Sequence, residues 1–138
     1  MNKILSIDFN KRNYAIVIKN NFKLKNGIKF FTDDTYSQQL GFMQRPKNYV
    51  IPPHYHNIQK RKITNTQEVL FIKKGKVKVY FYEIKTNLNF KNIILKTGDV
   101  ILLSQGGHAF KMLEPTEIIE VKQGPYKDKD KTFINLNI

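Results

Sequence analysis

The stretch EVLFIKKGKVKVYFYE, residues 68–83, decides the fold. It reads as two strands joined by a turn at Lys73–Gly75. In its second half Val77, Val79 and Phe81 alternate with Lys76, Lys78, Tyr80 and Tyr82. That is the period of two of a strand with one face on a core. A helix would bring residues three and four apart onto one face instead. In the first half Glu68, Leu70 and Ile72 share a face, and an acidic side chain at an inward position is costly unless something pairs with it.

Working outward, the same signature recurs. YAIVIK (14–19), GIKFFT (27–32) and QLGFMQ (39–44) are short β-branched or aromatic runs bounded by Asn, Gly and Asp. FKNIILK (90–96) follows the polar turn KTNLN. TGDVILL (97–103), GHAFKML (107–113) and EIIEVK (117–122) come with the turn signals Gly98-Asp99, Gly106-Gly107 and Glu114-Pro115. No segment sustains a helical stripe, so the expectation is an all-β sandwich or barrel. With 138 residues and no internal repeat, residues 1–138 read as one domain. The tail GPYKDKDKTFINLNI is charged, then apolar, and residues 132–136 are expected to return as an edge strand.

Composition narrows the chemistry. There is no cysteine, hence no disulfide, thiolate metal site or Cys nucleophile. The opening MNKILSIDFN is no secretory signal, because Asp8 interrupts an apolar run that is already short. No window approaches the ~20 apolar residues of a membrane helix, and we expect a soluble cytoplasmic protein. The net charge of +13 raises nucleic-acid binding, but Arg12, Arg45 and Arg61 are the only arginines and the lysines are scattered through every segment. Phosphate recognition favours the bidentate guanidinium and a concentrated patch. Nucleic-acid binding is therefore the weakest of the readings, and the lysines read as a solvated surface.

Only three histidines occur. His54 and His56 lie in IPPHYHN (51–57), where strand geometry would put both on one face with Cα atoms ~6.6 Å apart. Two imidazoles at that separation can converge on one ion. Pro52 and Pro53 argue for an edge or a strand start. His108 follows SQGG and shares a face with Phe110 and Met112, so a Glu and three His occupy inward positions of apolar strands. Ser104 lies four residues before His108, but no nucleophile elbow surrounds it, and a serine hydrolase is rejected.

These residues resemble the cupins, small jelly-roll β-barrels. The first cupin motif joins a glycine to HxH, then to a glutamate separated by six residues from a final glycine; His54, His56, Glu68 and Gly75 supply its last four members. The second runs from a glycine through Pro-x-Gly to a histidine, and Gly98, SQG and His108 match it with Ser104 in the proline's place. The likeness spans about residues 39–123. Eleven residues, NIQKRKITNTQ, separate His56 from Glu68 where the family has three or four. The resemblance implies a cupin-type jelly-roll β-barrel in which His54, His56, Glu68 and His108 hold one divalent ion, Fe, Mn, Ni or Zn, with positions left for water or substrate. It also implies a homodimer.

Such an ion would polarise a substrate carbonyl or hydroxyl, or take up dioxygen beside the substrate if it is iron. The expected ligand is a small polar or anionic molecule such as a sugar or sugar phosphate. The candidate substrate-binding residues are Arg61, Gln44 and Gln105, and the candidate acid–base residue is Glu120, which shares a face with Ile118. Tyr126 is a candidate for closing the barrel mouth, and Lys111 is expected to face outward. Two functions remain: a metal-dependent isomerase, epimerase or dioxygenase, and a metal-containing binding module without catalysis.

Overall fold

The computed structural model describes residues 2–136 and residue 138. They form ten strands: β1 (Ile4–Phe9), β2 (Arg12–Ile18), β3 (Gly27–Phe30), β4 (Gly41–Gln44), β5 (Glu68–Lys74), β6 (Lys76–Tyr82), β7 (Asn89–Lys96), β8 (Val100–Leu103), β9 (Gly107–Met112) and β10 (Glu117–Lys122). No helix among the described residues is long and apolar enough to cross a membrane. All strand pairs are antiparallel. They build a five-stranded sheet in the order β1-β2-β8-β5-β10, a three-stranded sheet β7-β6-β9 and the hairpin β3-β4.

The five- and three-stranded sheets face each other over the main core. Val17, Leu70, Ile72, Ile101 and Leu103 from one meet Val77, Val79, Phe81 and Leu95 from the other. The architecture is thus an all-β sandwich; the strands do not close into a barrel. The other face of the large sheet carries a second core, where Ile16, Ile18 and Leu102 lie under Phe22, Phe31, Leu40 and Phe42. This double coverage explains why Tyr14–Ile18 and Ile101–Leu103 are unbroken buried runs, whereas β6 alternates. A strand buried on both faces has no polar side to show.

Gly75 carries the chain from one layer to the other. β5 and β6 are consecutive, but they pair in different sheets. Gly75 takes φ +99°, and a Cβ there would come within 2.5 Å of the Pro115 carbonyl oxygen and 2.6 Å of Thr116 Oγ1. Only glycine combines that backbone with that proximity. The Gly98-Asp99 turn is fixed differently. Asp99 is fully buried, accepts bonds from the backbone N–H groups of Asn20 and Lys96, each at 2.8 Å, and pairs with the Lys19 ammonium. This one carboxylate ties the end of β2 to the β7–β8 turn.

Candidate functional site

Strand parity delivers two of the candidate ligands to one place. Glu68 opens β5 on its inner face, continuing to Leu70 and Ile72, all three buried. His108 enters from the opposite sheet, because β9 sets His108 beside Phe81 and Phe110 beside Val79 on the inner face of β6. Gly106 makes the approach possible: at φ +83° its bare Cα lies against the Tyr14 ring, where a Cβ would come within 2.2 Å. The two side chains meet across the end of the sandwich, with His108 Nε2 3.5 Å from Glu68 Oε2.

The surroundings of this pair are cationic. β10 pairs with β5 so that Lys122 lies opposite Glu68. Lys122 also reaches Asp130 at 3.3 Å, which draws the tail towards the same end. The facing His108 ring is the main cause that holds the Glu68 carboxyl below the usual carboxylate range, against the opposing effect of burial; Lys122 and Lys131 act in the same direction as His108. Parity in EIIEVK carried the signal for Lys122, two residues beyond Glu120 on the same face. Lys131 and Asp130 carried none, since they arrive through the irregular tail.

His54 and His56 are placed otherwise than expected. Residues 45–67 form no strand, and 51–57 are exposed throughout. The physical reason lies in the segment itself: Pro46, Pro52 and Pro53 lack the N–H a ladder needs, and no neighbouring strand offers a partner. The two rings nonetheless lie together, with centroids 5.5 Å apart. His54 Nδ1–H donates to the Pro52 carbonyl at 2.7 Å, so in the neutral ring Nε2 carries the free lone pair. A metal-ligating imidazole is commonly oriented this way.

The donor set therefore suits a divalent ion in chemistry, with three imidazoles and one carboxylate. Its arrangement is two pairs, and no three His, Asp or Glu side chains gather into a metal cluster among the described residues. The segment that joins the pairs, 57–67, leads from His56 directly into Glu68.

The remaining candidates separate. Arg61 lines a cavity of about 660 Å³ with Asp34, Gln39 and Gln123. Gln105 lines an adjoining one of about 230 Å³, but its amide donates to the Asn13 carbonyl at 2.9 Å. Gln44 ends β4 opposite Gly27, exposed, and borders neither cavity. Glu120 has the inward parity expected of it, opposite Leu70, yet it is exposed on the edge strand. Lys111 points outward as expected. Tyr126 does not close the mouth: it is exposed, and its hydroxyl donates to Asp128 at 3.0 Å. Nor do residues 132–136 form a strand; Ile134 instead packs against Gly107, where the missing side chain leaves it room.

No family model, curated protein or solved structure matches the chain.

Proposed function

We propose that this is a small metal-binding protein of the cupin type, with His54, His56, Glu68 and His108 as the ligands of one divalent ion. Its ligand on this reading is a small polar or anionic molecule such as a sugar or sugar phosphate. The observation that carries the reading is the Glu68–His108 contact, made by the inner faces of two different sheets. A carboxylate and an imidazole facing each other at the open end of a sandwich are a half-built coordination set, and the other two imidazoles lie on the segment that leads into Glu68. A bound ion would supply Lewis-acid polarisation of a carbonyl or hydroxyl. The chain's own contribution is orientation: Pro52 fixes the His54 tautomer, and Lys122 opposite Glu68 favours an anionic molecule at the same end.

A second reading, a metal-containing binding module without catalysis, has one observation in its favour. Glu120, the candidate acid–base group, is exposed on an edge strand and not held beside Glu68 and His108. A general acid or base has to reach the proton it moves. In both readings the protein assembles as a homodimer along the free edge of β10.

Elemental analysis tests the metal directly. Protein supplied with Fe, Mn, Ni or Zn and then desalted should hold about one ion per chain, consistent with a single four-donor site. The His54→Ala/His108→Ala double variant should hold almost none. Wild type without metal would end this reading, and equal metal in both proteins would put the ion elsewhere.

A further inference from the structure

The two cavities that Arg61 and Gln105 border share Tyr36, Ser37 and Ile63, and so form one trough. It is reached from the outer side of the five-stranded sheet, the side on which Tyr36 and Val69 pack, while Glu68 faces the inner core. The trough is thus distinct from the Glu68–His108 end. One bank is the turn 34–39 and the other is the segment 61–65. Its floor is built: Gln67, buried, accepts from Ser37 Oγ at 3.1 Å and from the Gln38 N–H at 3.0 Å. The Tyr36 hydroxyl donates to Asn13 Oδ1 at 2.9 Å, and Ser104 Oγ donates to the Asn13 carbonyl at 2.7 Å. A floor cross-linked in this way is preorganised for a ligand.

Three groups in the trough are free to meet a ligand, one of them buried and two, Arg61 and Lys62, exposed. Gln123 Oε1 is buried with no hydrogen-bond partner, and a buried acceptor in that state calls for a donor. Arg61 and its neighbour Lys62, one in each cavity, form no ion pair among the described residues. Asp34, on the opposite bank, is an acceptor that opposes a bare anion. A hydroxyl satisfies Gln123 and Asp34, and an anionic group satisfies Arg61 and Lys62. Either alone leaves half the groups unmatched.

We infer that this trough is a second ligand site, one that takes a small anionic polyol. Its phosphate or carboxylate meets Arg61 and Lys62, and its hydroxyls donate to Gln123 and Asp34. A bidentate guanidinium–anion contact supplies the larger part of the recognition. Tyr36 and Ile63, which line both cavities, add apolar surface to the site.

Calorimetric titration of metal-stripped protein tests this with four probes: glucose 6-phosphate, glycerol 3-phosphate, glucose and inorganic phosphate. At least one of the two phosphorylated polyols should bind at least about tenfold tighter than glucose or inorganic phosphate, the margin of one charge-assisted contact. Arg61→Ala should remove most of that advantage, and Gln123→Leu should weaken the polyols while leaving inorganic phosphate unchanged. Both variants should keep the wild-type circular dichroism. The His54→Ala/His108→Ala variant should bind as wild type does, which separates this site from the metal reading. Failure of both phosphorylated polyols to bind wild type would overturn the inference. So would binding that neither Arg61→Ala nor Gln123→Leu alters, or equal binding of inorganic phosphate.

Discussion

At the scale of single residues, the informative groups are polar ones with an unusual neighbour. Glu68 was legible in the amino-acid pattern alone, because an acidic residue at inward parity demands a partner, and His108 is that partner. Asp33 was not legible, since nothing in DDT distinguishes a capping aspartate from a solvated one. Its Oδ1 accepts from the Thr35 hydroxyl at 2.6 Å and from the Thr35 N–H at 2.9 Å. Those two bonds, the hydroxyl first, lower its carboxyl from the ordinary value of 3.8. The sign follows from linkage. The folded state prefers the ionised form, so the contribution is complete above the unfolded value and disappears as pH falls through the lower folded one. A carbon-detected NMR titration of Asp33 should therefore give a midpoint below 3.8, and Thr35→Val should move it upward. An unchanged midpoint in the variant would mean that the hydroxyl does not hold this turn, and with it the Asp34–Gln39 bank of the trough.

At the scale of elements, legibility tracked local periodicity. β6, β7, β9 and β10 lie where alternation and turn residues put them, and the unbroken runs of β2 and β8 are also strands. β1 was less legible because Asp8 interrupts the apolar pattern of ILSIDF; the Asp8 carboxylate accepts from the Asn13 amide of the next strand at 3.0 Å. The strand expected at His54–His56 failed on its prolines. What no local pattern discloses is the sheet a strand joins: β5 and β6 are continuous in sequence and separate in space. The same limit hid the trough, whose banks are some 25 residues apart in sequence and meet through Gln67. Gly75 is where the change of sheet can be tested. Gly75→Ala must strain a positive φ and displace the 115–116 backbone, at a cost of about 3 kcal/mol. Gly27→Ala at φ +109°, with nothing within 4 Å of the new Cβ, should lose only about 1 kcal/mol. Urea midpoints of the two variants should fall in that order; equal midpoints would show that crowding at Gly75 is relieved at no cost.

At the scale of the whole molecule, the large sheet is covered unevenly. Over β2 and β8 its outer face lies beneath Phe22, Phe31 and Phe42. Over β10 it does not: Ile119 is paired with Phe71, and Val121 with Val69 at the border of that cluster, yet Ile119 and Val121 are 53% and 58% exposed. β10 is also the last strand of its sheet, and neither Pro nor an outward Lys at its centre discourages another strand from pairing there. The homodimer proposed above would use this edge, with a second copy related by symmetry. Antiparallel pairing about Val121 puts opposite residues at positions summing to 242, so Glu120 faces Lys122 of the partner subunit and the reverse pair repeats it. Opposite charges in register favour that alignment, and the two apolar patches become continuous on one side of a ten-stranded sheet. The net charge of +13 works against association and is screened by salt, so the dimer should be firmer at high ionic strength than at low. Light scattering on the eluting protein should give twice the chain's mass, with the dimer fraction rising as salt is added. Ile119→Lys/Val121→Lys should elute as a monomer with unchanged circular dichroism, because its side chains point away from the core. A wild-type monomer at high salt, or a double variant that still dimerises, would rule out this edge as the interface.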